Sequence, residues 1–397
     1  MDSRLSIVWV FAAFLSVNLC AASWPEEARR AIQQQFNQQQ AQSLIKAPFA
    51  NAATLQGALK REWKSLWIPD QGKVLLESPE FETGALEVRF VSPLSLRAEQ
   101  KMEWVVVLPG LFGEIDDPIA LTLVDRLVRK GYTVLAISNS WSPHYRQARP
   151  LHVPGFLEFE ARTVLGFIRE AKQKLQRGPV SAIHLLGVSY GGMLATVATA
   201  LDQASDAPLL SGATLAFSPP LDLLDSMEQM DRGLQSIQEK SECSWIEIAQ
   251  LSVALFFNSP GWSRTGLQGC ADRIIYWDFM GKLGFMVGSM REVNQKAPVQ
   301  ISPTFRGYIR RIPSEMSPFQ LPRDGARLEF WWNQMSDRSA LRIYLTQDDF
   351  IYSRSDRNFG LFRSLERQQQ VLISPVGGHF GYSEEPFFSQ LLDWGLQ

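Results

Sequence analysis

The sequence predicts an α/β protein whose core is a mostly parallel, doubly wound sheet interrupted by a helical insertion. Across the 397 residues, short apolar runs alternate with amphipathic helical patterns, which is typical of βαβ units. The alternation lapses between residues 222 and 340 and then resumes. A Gly-x-Ser-x-Gly turn also stands between an apolar run and a helical pattern. These three observations define the predicted architecture.

Most of the predicted strands are continuous apolar runs, which indicates burial on both faces of the sheet. The predicted strands span residues 85–91, 104–108, 133–138, 182–186, 213–217, 341–345 and 371–373. The helical patterns begin at Asp117 and Pro118, span residues 155–175 and 193–201, follow Ser355 and start again at Glu384. This order supplies the crossover helices that a parallel sheet requires.

The first 23 residues have the layout of a secretory signal peptide. Arg4 precedes an apolar run from Leu5 to Leu19, and the small residues Ala21 to Ser23 follow it. The run is shorter than the ~20 residues that a membrane-spanning helix needs, so cleavage is favoured over a permanent anchor. We therefore predict a secreted or periplasmic protein with no stable membrane span after cleavage.

The rest of the chain divides into three predicted regions. Residues 24–75 form an N-terminal helical extension that opens with a capping box at Ser23 to Glu26. Residues 76–221 and 341–397 form the α/β core, and residues 222–340 form the helical insertion.

The composition excludes several classes of function. Lys and Arg number 39 against 41 Asp and Glu, for a net charge of −2, so no strong field attracts nucleic acid. Four His and three Cys exclude a multi-ligand zinc framework and a disulfide-dense fold. Removal of the signal peptide leaves Cys243 and Cys270. A bridge between them and two buried free thiols both stay open, and the bridge is preferred.

Ser189 is the candidate nucleophile. Residues Gly187 to Gly191 read Gly-Val-Ser-Tyr-Gly, between the strand that ends at Leu186 and a helix that begins near Gly192. This is the context of a nucleophile elbow, where small flanking residues permit a tight turn. The helix that follows directs its N-terminal N–H groups toward the serine, which favours a developing anion there.

His379 is the candidate base. A serine hydroxyl needs a base to take its proton, and in this topology the base follows the last strand. His379 lies in a glycine-flanked loop after the last predicted strand. Of the other histidines, His184 lies within a buried strand, and His144 and His152 lie in a Pro-rich loop where a surface role is favoured.

Two adjacent aspartates follow the strand predicted at residues 341–345, where the acid of the triad is expected. We prefer Asp348 because it comes first after the strand and leaves the next two apolar residues to pack behind it. Asp349 stays open as the alternative.

Two backbone N–H groups are candidates for an oxyanion hole. One belongs to Tyr190, directly after the nucleophile, and the other to Leu111, in the loop after the strand at residues 104–108. The nearby pair Asp116 and Asp117 stands at a predicted helix start, so it is better explained as a cap than as a metal site. No metal and no cofactor are predicted.

With these motifs in this order, the chain resembles the α/β-hydrolase superfamily, and within it the family 4 branch of carboxylesterases. The similar segments are Leu108–Gly113, Asn139, Gly187–Gly192, Ser218–Asp222, Gln347–Phe350 and Gly377–Gly381. The resemblance implies an α/β-hydrolase fold and activity on short- and medium-chain esters. It also implies a triad of Ser189, Asp348 and His379. Pro109 stands where the branch usually has His, and this change leaves a backbone donor intact.

The resemblance further implies that the insertion at residues 222–340 is a lid. This region is rich in aromatic residues and methionine, with Phe256, Phe257, Trp262, Trp277, Phe279, Met280, Phe285, Met286, Trp331 and Trp332. An apolar lid suits a hydrophobic acyl group and excludes water from a charged intermediate. Most of these side chains are expected to pack within the insertion itself.

Three functions are compatible with the sequence. The leading hypothesis is a secreted serine hydrolase that cleaves a small-molecule carboxylic ester through an acyl-enzyme intermediate. The second keeps this chemistry but acts on a thioester, an amide or a peptide. The third is a catalytically silent binding protein on the same fold. The presence of all three triad residue types favours an enzyme, and the sequence sets no expectation for the oligomeric state.

Overall fold

The structure is a computed structural model of the chain. It describes residues 24, 26–32, 72–93, 102–176, 178–240, 244, 246–247, 270, 281–284, 286, 304–305, 323–347, 349, 351–352, 370–374, 379 and 387–396. The predicted signal peptide, the predicted helix after Ser355 and most of the predicted insertion lie outside these residues. Within the described ranges, no helix combines the length and the apolar character that crossing a membrane requires.

Eight strands form one sheet in the order β1-β2-β4-β3-β5-β6-β7-β8. They are β1 Lys73–Glu77, β2 Ala85–Val91, β3 Met102–Leu108, β4 Thr133–Ala136, β5 Val180–Val188, β6 Thr214–Phe217, β7 Leu341–Thr346 and β8 Val371–Ser374. Strand β2 is antiparallel to both of its neighbours. All the other pairs are parallel, so the predicted mostly parallel sheet is confirmed.

Helices cover both faces of the sheet. They are α1 Pro118–Arg129, α2 Pro143–Gln147, α3 Leu157–Leu175, α4 Tyr190–Gln203, α5 Leu223–Lys240, α6 Leu328–Gln334 and α7 Phe387–Leu396. On β3, Trp104 and Val106 join the apolar cluster that includes residues of α3 and α4. Val105 and Val107 join the opposite cluster, with residues of α1 and α7. Because successive side chains of a strand point to opposite faces, this fully apolar run is buried on both sides.

Strand β1 is an element that the sequence pattern did not reveal. It begins at Lys73, inside the predicted N-terminal extension and three residues before the predicted start of the core at residue 76. β1 is an edge strand, paired only with β2 in the described sheet. Edge strands face solvent along one side, and Leu75 is 68% exposed. Its apolar run, Val74 to Leu76, is only three residues long and lies between Lys73 and Glu77, so it gave too short a signal for a strand.

The start of the chain after the predicted signal peptide belongs to the core. Trp24 is 2% exposed, and its indole N–H donates to the carbonyl of Gln370 at 2.9 Å and to that of Ile343 at 3.3 Å. Residues 26–32 are helical, and Ala28 and Ile32 pack into the same apolar cluster as Trp24. The indole therefore joins β7 to the residue that precedes β8.

We expect Trp24→Ala to lower the free energy of unfolding by about 3–5 kcal/mol, because it leaves a cavity in the core and removes the indole N–H that donates to two carbonyls. Urea denaturation of the purified chain measures this loss. Leu75→Ala, at an exposed position on β1, serves as the control and changes stability by about 0.5 kcal/mol or less. Equal midpoints for the two variants would contradict the burial of Trp24.

The start of the predicted insertion is joined to the segment that precedes α6. Asp222 and Arg327 form an antiparallel bridge, the guanidinium of Arg327 lies 3.4 Å from the Asp222 carboxylate, and the Leu328 N–H donates to the carbonyl of Leu221. Cys270 is disulfide-bonded, and its partner lies outside the described residues, so the pairing with Cys243 stays a prediction.

Three of the apolar residues singled out in the insertion are described. Met286, Trp331 and Trp332 are 0%, 5% and 2% exposed, and all three join the apolar cluster on the α3 and α4 face of the sheet. Their side chains therefore pack in the main core, beyond the insertion itself. The others lie outside the described residues.

Candidate active site

Ser189 lies at a strained turn between β5 and α4. Its backbone has φ 54° and ψ −124°, a conformation that costs energy for a residue with a side chain. A Cβ on Gly187 would lie 2.0 Å from the carbonyl oxygen of Gly191, and one on Gly191 would lie 2.1 Å from that of Leu108. Both positions therefore require glycine, as the nucleophile-elbow motif predicts.

The turn is held to the neighbouring strand. The N–H of Ser189 donates to the carbonyl of Phe217 at 2.7 Å, and α4 begins at the very next residue, Tyr190. The positive end of the α4 dipole therefore lies directly at the serine.

His379 pairs with Asp349. Its Nδ1 lies 2.7 Å from Asp349 Oδ2, and both residues are almost fully buried. The other carboxylate oxygen accepts the N–H of Ile351 at 3.1 Å, which fixes the orientation of the acid. An imidazole with Nδ1 bonded to a carboxylate presents Nε2 as its basic nitrogen, the tautomer that a general base needs.

The structure therefore supports Asp349, the alternative that the sequence left open, over the preferred Asp348 as the partner of the histidine. Asp348 itself lies outside the described residues. The physical reason is the length of β7, which runs to Thr346, one residue beyond its predicted end. The N–H of Gln347 still bonds the carbonyl of Ser374 at the end of β8. The chain leaves the sheet later than the pattern indicated, and this shift brings the second aspartate to the histidine.

Ser189 and His379 line one pocket. Its described wall also includes Leu111, Tyr190, Pro220, Leu223, Ser226, Met227, Met230 and Ile351. Leu223, Met227 and Met230 stand at positions i, i+4 and i+7 of α5, which places them on one face of this helix. The first helix of the predicted insertion therefore supplies an apolar wall beside the serine and the histidine.

A tight loop after β3 brings Leu111 to the same pocket. The N–H of Gly113 donates to the carbonyl of Gly110 at 2.9 Å, and Phe112 has φ 61°. A Cβ on Gly110 would lie 3.2 Å from that of Ser189, so the loop passes directly over the serine. Among the residues that the structure describes, the N–H of Leu111 has no hydrogen-bond acceptor.

Asn139 supports this loop from the end of β4. Its side-chain amide donates to the carbonyl of Pro109 at 3.3 Å, and its backbone N–H donates to that of Gly113 at 2.9 Å. The side-chain oxygen accepts the N–H of Trp141 at 2.9 Å. An asparagine can satisfy donors and acceptors at once, so this single residue fixes both ends of the loop that carries Leu111.

The other histidines lie in different environments. His184 accepts the N–H of Ala213 at 2.9 Å, and burial lowers its pKa to about 4. His144 Nδ1 lies 2.8 Å from the hydroxyl of Ser138. Burial lowers the pKa of His152 to about 3. None of the three lines the pocket of Ser189.

The acidic pair at the start of α1 is engaged in structural contacts. Asp116 pairs with the guanidinium of Arg89 and lies 2.7 Å from the ammonium of Lys73. Asp117 is the N-cap residue of α1, and its carboxylate accepts the N–H of Glu114 at 2.8 Å. Within the described part of the chain, no group of His, Cys, Asp and Glu side chains has the arrangement of a metal site.

The sheet and the serine turn together define an α/β-hydrolase fold. Its marks are the mostly parallel order of the eight strands, a strained serine between a central strand and a helix, and an acid and a histidine after the last two strands. In this fold the nucleophile stands at the carboxyl edge of the sheet, and its partners follow it in the chain.

Solved structures similar to the chain share little sequence identity with it. An esterase of Pyrococcus furiosus is 11% identical over 84% of this chain and 93% of that chain, with a TM-score of 0.44. An acylaminoacyl peptidase of Pyrococcus horikoshii is 15% identical over 82% of this chain and 41% of that chain, with a TM-score of 0.40. Est1E from Butyrivibrio proteoclasticus is 17% identical over 38% of this chain, with a TM-score of 0.29, and the match spans 51% of that chain. No protein-family model matches the chain, and no curated protein matches it either.

Proposed function

We propose that the protein is a serine hydrolase that cleaves carboxylic esters, with Ser189, His379 and Asp349 as its triad. The observation that carries the proposal is the meeting of Ser189 and His379 in one pocket, with the imidazole oriented by a buried carboxylate at 2.7 Å. These are the roles of nucleophile, base and orienting acid.

The proposed reaction is acyl transfer in two steps. The Ser189 hydroxyl attacks the ester carbonyl while Nε2 of His379 takes its proton, and the imidazolium then returns that proton to the departing alcohol. Water attacks the resulting acyl-enzyme with the same histidine as base, which releases the acid and restores the serine. Asp349 stabilises the imidazolium in both steps through its contact with Nδ1.

The negative charge that develops on the carbonyl oxygen requires donors that are already in place. The backbone N–H groups of Tyr190 and Leu111 are the proposed donors, one at the start of α4 and one in the loop that Asn139 supports. Both residues line the pocket of the serine. The α4 dipole adds to the stabilisation of this charge.

The proposed substrate is a small ester with a hydrophobic acyl group. Apolar side chains of α5 line the pocket beside the nucleophile, and apolar surface favours an acyl chain that leaves water. We propose the insertion at residues 222–340 as a lid over this pocket. The same chemistry cleaves thioesters and amides, and competition of each with an ester substrate separates these alternatives.

We also propose export of the protein and removal of residues 1–23. The layout of charge, apolar run and small residues supports this. Trp24, the next residue, is buried in the core.

A fluorophosphonate probe is expected to label the folded protein on Ser189. The serine oxygen displaces fluoride from phosphorus only when a base takes its proton, so labelling reports an activated hydroxyl rather than a mere serine. Intact mass and peptide mapping identify the modified residue. Heat-denatured protein is the control and stays unlabelled. Failure to label the folded protein would favour a catalytically silent binding protein.

A further inference from the structure

One buried acid next to the site has no part in the proposed triad. Glu160 lies on α3 and is 2% exposed. Its Oε1 accepts the N–H of Gly155 at 2.7 Å and the phenol O–H of Tyr190 at 3.0 Å. Tyr190 is the residue directly after the nucleophile, so this carboxylate reaches the elbow through a single side chain.

The ring that Glu160 holds is part of an aromatic contact chain. Tyr190 packs edge-on against Trp141, with ring centroids 6.1 Å apart. Trp141 packs in the same way against Phe112, with centroids 6.4 Å apart. Phe112 follows Leu111 in the loop over the serine. The anchored phenol therefore has packing contact with the elements that carry both proposed oxyanion donors.

We propose that Glu160 is a positioning residue for the oxyanion hole: its buried carboxylate fixes the phenol of Tyr190, and thereby the backbone N–H of Tyr190 and, through Trp141, the loop of Leu111. The inference rests on the proposed hydrolase function and deepens it. Glu160 does not touch substrate. Its effect on the reaction passes through Tyr190 and the rings packed against it.

The ionised form of Glu160 holds the phenol more strongly, since hydrogen bonds to a carboxylate are about twice as strong as neutral ones. Burial raises the pKa of Glu160 to about 7, although the hydrogen bonds that its carboxylate accepts act to lower the pKa. Because the pKa is higher in the folded protein than its ordinary value of 4.5, the protonated acid contributes stability below about pH 4.5. That contribution is lost as the pH rises through 7. At pH 8 the charged acid therefore lowers stability while it strengthens the hold on Tyr190.

The charged and titratable groups around Glu160 come from several elements. Arg146 on α2 favours its ionised form, and Arg146 also donates to the carbonyl of His152 at 3.0 Å. Burial lowers the pKa of His152 to about 3, which keeps it neutral near pH 7. Burial raises the pKa of Tyr145, also on α2, well above its ordinary value. Glu160 is therefore the group of this cluster that changes charge between pH 6 and 8.

The test uses Glu160→Gln and Tyr190→Phe in the full chain, with p-nitrophenyl butyrate as the probe substrate. At pH 8 we expect kcat to fall about fivefold in Glu160→Gln and about tenfold in Tyr190→Phe, with KM changed less than about twofold. At pH 6 the ratio of native kcat to Glu160→Gln kcat approaches about 1, because native Glu160 is then mostly protonated.

The melting temperature separates positioning from simple support of the fold. Glu160→Gln is expected to melt higher than the native protein at pH 8, with the difference shrinking toward pH 5, while its kcat is lower. Thr199→Val is the control, since Thr199 lies on α4 with Tyr190 and its buried hydroxyl lies 2.7 Å from that of Thr214 on β6. It is expected to lower the melting temperature and leave kcat unchanged.

Three outcomes overturn the inference. In the first, the ratio of native kcat to Glu160→Gln kcat does not change with pH, and Tyr190→Phe has the same kcat as the native protein. The second is an equal loss of kcat in Thr199→Val, which reduces the effect to general destabilisation. In both cases the hydrolase function stands. The third is that the native protein shows no ester hydrolysis, or hydrolysis that persists in Ser189→Ala. The proposed function then fails, and the inference fails with it.

Discussion

Ser189→Ala is expected to lower kcat for p-nitrophenyl butyrate by about 10⁴-fold or more, since loss of the nucleophile removes the covalent route altogether. What remains is the acceleration that the oxyanion donors and substrate binding provide without an acyl-enzyme. The fold is expected to persist because alanine is smaller than serine and its side chain has no hydroxyl to satisfy. Circular dichroism and the urea midpoint verify that persistence, and the initial rate of p-nitrophenol release measures the loss.

Ser218→Ala is the matched control for this prediction. Ser218 follows β6 as Ser189 follows β5, it is fully buried, and its backbone φ of 45° lies in the same positive range. The two serines therefore share strain and burial, but Ser218 does not line the pocket with His379. We expect kcat of Ser218→Ala within about threefold of native, as for a substitution outside the machinery. Similar losses in both variants would locate the effect in folding rather than in nucleophilic attack.

The parts of the site that short-range patterns determine were predictable. The run of Val105 to Val107 could be assigned to a strand because burial on both faces demands apolar side chains throughout. The turn at Ser189 could be located because Gly187 and Gly191 each lie where a Cβ would meet backbone atoms at about 2 Å. Both signals lie within a few residues of the feature that they predict.

Contacts between distant segments were not predictable in the same way. The choice between two neighbouring aspartates depends on where β7 ends, and a difference of one residue changes which carboxylate reaches the histidine. Glu160 stands among buried apolar positions of α3, including Ala161, Val164 and Ile168. An acid on that buried face was a signal that Glu160 has a specific partner. That partner, Tyr190, lies 30 residues away along the chain, and a single sequence does not show that the two side chains are in contact.

Asp349→Asn is expected to lower kcat by about 10³- to 10⁴-fold while the fold stays intact. Asparagine has nearly the same shape as aspartate, and its side-chain oxygen can still accept the N–H of Ile351. It removes the charge that stabilises the imidazolium of His379, and its amide group can donate to Nδ1 and so favour the wrong tautomer of the ring. A loss in kcat with little change in KM is therefore expected, and steady-state kinetics at pH 8 measures both.

Asp348→Asn is a particularly close control, because it makes the same chemical change one residue earlier. We expect it to keep kcat within about threefold of native, since His379 pairs with Asp349. A large loss in Asp348→Asn with native activity in Asp349→Asn would reverse the assignment of the acid and restore the preference that strand position suggested. A large loss in both would mean that the loop acts as a unit, because groups in one network are not additive. The double variant then separates two cases. If both aspartates act through one network, its kcat is no lower than that of either single variant; if they act independently, the two losses in kcat multiply.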